Sequence, residues 1–232
     1  MKLPKNRWEA FAAHFGFSLL IFFGLLGVII YLWYPGALFA AAGGWQGIRI
    51  VVGVDLVLGP LLTLIVYNLA KPRRLLYRDL TVVGAIQLSC LVAGVAIVYT
   101  ERPVAVVYCL DKFYALKRSE FVANGKDPQS LPLGLMTPSY FQVAQKATSP
   151  EEAELIRKIN TFTGKNQLFR TDLYQPLSRT VPEAQKLLSL NPQPQSPGYP
   201  ARCLTAKLVT VYAEGSVCFD PSQQSLEKFI AK

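Results

Sequence analysis

The residues able to do chemistry in this chain are few, and the most conspicuous is a lone acid. Asp55 is the single charged position between Ile50 and Ala70. A carboxylate in such a setting costs about 2.5–3.5 kcal/mol on insertion scales and by default marks a functional position. Asp55, Gly59 and Thr63 recur every four residues and so share one helical face. Gly59 and Thr63 form a small-xxx-small pair that permits close helix approach. Pro60 removes a backbone donor and frees a carbonyl one turn earlier, near Leu56. Two uses of Asp55 stand side by side: a hydrogen bond to a neighbouring helix of the same chain, or reception of a partner. Gln87, Ser89 and Tyr31 are its candidate partners by depth.

Signals for catalysis are sparse. His14 is the only histidine, and residues 101–232 contain none. That excludes Ser-His-Asp and Cys-His arrangements and any His-based metal site there. There is no CxxC, Walker loop or GxGxxG. Glu151, Glu152 and Glu154 follow Ser149-Pro150 and read as the first turn of a helix, where the dipole favours acids. The expectation is a protein that is not an enzyme, with no catalytic residue, metal or cofactor. Of the four cysteines, Cys90 reads as packing. Cys109, Cys203 and Cys218 allow three single pairings. Cys203–Cys218 is favoured, because it closes a loop of about 15 residues and stabilises by roughly 3 kcal/mol.

The elements that must position these residues follow from the composition. The chain has 232 residues, 51% of them hydrophobic and 17% charged, with a net charge of +9. Its mean hydropathy is +0.27. This is too apolar for a disordered chain and unusual for a soluble enzyme. The excess lies before residue 100, in Gly16–Tyr34, Ile48–Ala70 and Leu80–Tyr99. Each approaches the roughly 20 apolar residues that cross about 30 Å of hydrocarbon. Backbone polar groups there must pair internally, so the three spans are expected to be helices.

Lys/Arg bias orients such spans. Lys2, Lys5 and Arg7 precede the first; Lys71, Arg73, Arg74 and Arg78 lie between the second and third; Pro35–Gly47 carries no charge. Both basic flanks are therefore expected in the cytoplasm, with residues 101–232 outside. Trp33, Tyr34 and Trp45 form an aromatic belt at the outer interface. A cleaved signal peptide ending near Gly43 is the rival reading of span one. Its apolar stretch is longer than the usual 7–15 residues, which favours retention.

Two domains are expected: residues 1–100 as three transmembrane helices and residues 101–232 as a small α+β domain. In the latter, Val104–Leu110 and Leu204–Tyr212 read as strands. A helix runs from Ser149 towards Gly164, and a weaker one spans Thr180 to Leu190. Asn191–Pro200 is an extended loop, and Val217–Phe219 with Leu226–Ile230 forms a hairpin around Asp220–Gln224. The Lys and Arg residues of this domain are scattered and read as solvated surface, with no basic stripe for nucleic acid.

Four strings carry a family likeness: YLWYPGALF (31–39), GVDLVLGPLLTLIVYN (53–68), RDL (78–80) and ERPVAVVYCLDKFYAL (101–116). Over roughly residues 10–120 the chain resembles the type IV pilin accessory proteins. The resemblance implies a bacterial inner-membrane protein with a cytoplasmic N-terminus and a periplasmic domain. It also implies help with type IV pilus assembly, with the major pilin as partner and the inner-membrane assembly platform as a second. Pilin rests in the membrane by an apolar helix before extraction. The Asp55, Gly59, Pro60, Thr63 face is the candidate dock for it. The rival function is a membrane-anchored periplasmic ligand-binding or sensor module, which calls for a pocket with convergent polar groups.

Overall fold

A computed structural model describes residues 4–144, 149–163, 166–177, 188, 199–200 and 202–232. The chain divides into two compact units: Met1–Val28 with Trp45–Tyr99, and Ile29–Gly44 with Thr100–Lys232.

The first unit is built from long helices. Helix α1 (Arg7–Val28) continues as a π-helical turn, Ile29–Trp33, in the second unit. It starts where the Asn6 side chain accepts a hydrogen bond from Glu9 N at 2.9 Å, capping the helix. The second apolar stretch is discontinuous: α3 (Gly44–Val51), a π-helical segment Val52–Leu58, then α4 (Gly59–Val66). Pro60 sits in the first turn of α4, where its missing N–H costs least. The last helix of this unit begins at Arg73 and ends at Glu101; it is numbered α5 below, after α2 of the second unit. Its start differs from the expected Leu80, because Arg73, Arg74 and Arg78 lie within the helix and not in a loop before it.

Among the described residues, three helical stretches are long and apolar enough to cross a membrane: Arg7–Trp33, Gly44–Val66 and Arg73–Glu101. The unit's surface carries Phe17, Leu20, Phe23, Ile65, Leu88 and Val92, while Ser18, Asp55 and Thr63 are buried. At one end, Ala10, Tyr67 and Leu76 pack together, and Tyr67 Oη donates to Pro4 O at 2.6 Å.

The second unit is a mixed sheet in the order β4-β3-β1-β2-β5-β6-β7. Its strands are β1 (Pro103–Cys109), β2 (Lys112–Lys117), β3 (Ser139–Val143), β4 (Tyr174–Pro176), β5 (Leu204–Val209), β6 (Glu214–Asp220) and β7 (Ser225–Ala231). Every residue of β1 is buried, as expected of a central strand covered on both faces. It pairs antiparallel with β2 and parallel with β3. β5, β6 and β7 form an antiparallel meander in which Asp220 faces Ser225 across the expected hairpin. On one face, Val107, Cys109, Leu116, Phe121, Phe141 and Phe169 make a core. Elsewhere the Phe113 ring lies 5.0 Å from both Tyr108 and Phe219.

Two helices accompany the sheet: α6 (Arg118–Ala123) and α7 (Pro150–Thr163). Ser149 Oγ caps α7 by accepting from Glu152 N at 3.1 Å. The expected helix over Thr180–Leu190, most of the Asn191–Pro200 loop and the Gly164 stop lie outside the described residues.

Most of the charge-free stretch Pro35–Gly47, up to Gly44, belongs to the sheet unit. It holds α2 (Ala37–Ala41), which packs on β7. Gly36 adopts φ 60°, and a Cβ there would stand 2.3 Å from Leu226 O, so only glycine admits that strand. Thr210 Oγ1 donates to Ala41 O at 2.6 Å.

Candidate functional site

The three apolar stretches meet at one buried polar cluster. His14 and Ser18, four residues apart, lie on one face of α1. Asp55 sits mid-way through the π-helical segment, and Gly59 and Thr63 follow on α4. Gln87 comes from α5. Asp55 is 1% exposed, Ser18 0% and Thr63 4%.

Gln87 is the hub. Its Nε2 donates to Asp55 Oδ1 at 2.7 Å and approaches Ser18 Oγ at 3.2 Å and Asp55 O at 3.4 Å. Ser18 Oγ donates to Asp55 Oδ1 at 3.3 Å. Two turns along, His14 Nδ1 and Thr63 Oγ1 share a 2.5 Å hydrogen bond. Gly59 makes room for the hub: a Cβ on it would fall 2.2 Å from Gln87 Oε1. Pro60 is buried beside it.

The Asp55, Gly59, Pro60, Thr63 face is therefore brought together, and it is turned inward against α1 and α5. Of the partners considered for Asp55, Gln87 takes the role. Ser89 bonds its own helix at Ala85 O, and Tyr31 is 76% exposed. The sequence reading left out His14 and Ser18. Their four-residue spacing in an otherwise apolar helix was the available signal.

The topology-bearing bases divide. Lys71 pairs with Asp79 at 2.7 Å and the exposed Arg78 reaches the same carboxylate at 3.8 Å, while Arg73 and Arg74 are exposed.

In the sheet unit, Cys203 and Cys218 form a disulfide with a Cα–Cα distance of 5.2 Å. Glu227 lies beside it, and the three would make a ligand set only if the thiols were free. Cys109 is buried in β1; burial, with Asp111 adding to it, pushes its thiol up to about 12. Not all bases of this unit are solvated surface. Arg102 is 3% exposed and donates to Leu135 O at 2.8 Å. Arg157 of α7 reaches the buried Asp111 at 3.4 Å and ties that helix to the β1–β2 turn. Lys117 pairs with Glu101 at 2.7 Å, and that hydrogen bond raises the Lys117 pKa above its ordinary value. A shallow groove of about 260 Å³ is lined by Lys207, Glu214, Ser216, Ile230 and Lys232.

Three relatives come from Dichelobacter nodosus. The fimbrial assembly proteins of serogroups I and E1 are each 34% identical over 119 residues, which is 51% of this chain and 46% of theirs. The fimbrial assembly protein of serogroups C1 and C2 is 34% identical over 111 residues, 48% of this chain and 85% of that protein. The chain belongs to the fimbrial assembly protein family. This membership agrees with the likeness read from the four strings. The chain spans about half the length of the serogroup I and E1 members of the family. No family profile matches it, and no solved structure does.

Proposed function

We propose that this protein is an inner-membrane accessory factor of type IV pilus assembly, without enzymatic activity, that binds the cognate major pilin before or during extraction into the fibre. The observation that carries this reading is membership of the fimbrial assembly family. The three apolar helices support it: a pilin subunit waits in the same bilayer, where helices associate through close packing and polar contacts. Lys/Arg bias supports a cytoplasmic N-terminus and a periplasmic sheet unit as part of this reading. The inner-membrane assembly platform is the second proposed partner.

The role of Asp55, Gly59, Pro60 and Thr63 is then indirect. α1 and α5 already cover their face, so they fix the arrangement of the helices. A pilin helix packs on the apolar surface outside, where Leu20, Phe23, Leu88 and Val92 are exposed. On the sheet unit, α7 presents Leu155, Ile159 and Phe162 on one exposed stripe, suited to a transient contact with the pilin head. Binding has to be reversible, because a subunit held tightly would not leave.

Deletion in the native host tests the proposal, with surface pili and total pilin counted separately. Loss of fibres with pilin retained supports an assembly step, and loss of both supports protection of the subunit. Normal fibres together with normal pilin would remove the proposal.

A further inference from the structure

The buried polar cluster has two acceptors left over. Asp55 Oδ2 and Gln87 Oε1 are both buried and have no hydrogen-bond partner among the described residues. Each is an acceptor, and an unpaired buried acceptor is costly, most of all on a carboxylate. Among the described residues no base contacts this carboxylate; its neighbours are the Ser18 hydroxyl and the Gln87 amide. The one nearby imidazole, His14, is bonded two turns away to Thr63.

The backbone is opened at the same place. Asp55 lies in the π-helical segment Val52–Leu58, just before Pro60, which has no N–H to offer the turn preceding it. Interrupted helices of this kind are where backbone carbonyls become available to ions within membranes. The Asp55 carbonyl is already turned towards Gln87, at 3.4 Å from its Nε2.

We propose that Asp55, Ser18 and Gln87 form a binding site for a single sodium ion. The ligands are the Asp55 carboxylate and carbonyl, the Ser18 hydroxyl and the Gln87 amide oxygen. All are hard oxygen donors, which disfavours soft transition metals. One carboxylate balances one positive charge, whereas a divalent ion would leave an uncompensated charge in an apolar surround. The Gln87 amide makes the site adaptable. Without the ion its NH2 end satisfies Asp55 Oδ1; a half-turn about the last bond presents its oxygen at the point where the Asp55 and Ser18 oxygens converge. Gly59 leaves the space for that turn. The site spans α1, the π-helical segment and α5, so occupancy by sodium braces all three.

Thermal unfolding of the full chain in detergent, in sodium, potassium or choline chloride at equal ionic strength, tests this. The expected result is a saturable rise of the midpoint in sodium of about 2–4 °C over choline, as for a modest ligand on a domain of this size. Potassium should give a smaller rise. Asp55→Asn and Ser18→Ala should flatten the sodium response, and Ser18→Ala carries the test if Asp55→Asn fails to fold. Equal midpoints of the unaltered chain in sodium and choline would overturn the proposal. So would an undiminished sodium response in the folded variants, which would place the ion elsewhere.

Discussion

The helical unit and the sheet unit solve opposite problems. In the sheet unit the interior is mainly apolar: Val106, Val107, Phe113 and Phe219 are fully buried, and the buried charges Arg102, Asp111 and Asp220 are each hydrogen-bonded or ion-paired. In the helical unit the buried positions include Ser18, Asp55 and Thr63, while Phe17, Phe23, Leu88 and Val92 face outward. The hydrophobic effect drives the first arrangement, since apolar area leaves water. It cannot drive the second within lipid, where helices gain from close packing and from polar contacts. The contrast is the one expected if the helical unit is solvated by lipid and the sheet unit by water. It also says where a substitution should hurt: apolar contacts decide one unit, and a few hydrogen bonds decide the other.

Variants can break this contrast, and the largest effect is expected in the sheet. Phe113→Ala removes a ring packed between Tyr108 and Phe219 and should cost about 3–5 kcal/mol, read as a shift in the denaturant midpoint of the full chain in detergent. Next comes the disulfide. Cys203→Ser with Cys218→Ser opens a loop of 15 residues and should cost roughly 3 kcal/mol in the same assay, with reductant giving the same loss. Asp55→Leu in the helical unit leaves Gln87 and Ser18 without their partner and should cost only about 0.6–2 kcal/mol. A loss from Asp55→Leu as large as that from Phe113→Ala would contradict the division.

The smallest effect sharpens the picture at the β6–β7 turn. Asp220 takes hydrogen bonds from Ser222 Oγ at 2.6 Å and Ser222 N at 2.9 Å, and these hold its carboxyl below the usual 3.8. A depressed pKa means that the unfolded chain binds the proton first as pH falls. This stabilisation is therefore complete above about pH 5 and is lost as the solution is acidified through 3.8 and below. Asp220→Asn should flatten the acid limb of the stability profile and leave the neutral limb almost parallel.

Much of the architecture was legible where local signals were long or punctuated. The three apolar stretches announce themselves by length. β1 does so by its β-branched run, α7 by its Ser149-Pro150 cap and the β6–β7 hairpin by alternation around a polar turn. β2, β3, β4 and α6 were not legible. β2 is six residues long and follows a turn in which Leu110 takes φ 59° without being glycine, so no turn residue marks it. β3 pairs with β1 from 34 residues away, Ala105 facing Ser139, a contact no local pattern encodes. The helix α2 within the charge-free Pro35–Gly47 stretch was not legible either, because its apolarity serves burial against β7, a contact no local pattern encodes. At the candidate site, Asp55, Gly59 and Thr63 were visible as a face. What covers the face was not: the His14–Ser18 spacing could be read on α1, but its pairing with Thr63 and Asp55 shows only once α1 lies beside α4.

The claim on which the rest depends is that the helical unit lies in the membrane with the sheet unit on its outer side. A reporter fused after Lys232 addresses it directly, in parallel versions active only in the periplasm and only in the cytosol. The periplasmic reporter is expected to be active and the cytosolic one silent. The reverse pattern would contradict the account, since the sheet unit would never meet an exported pilin head.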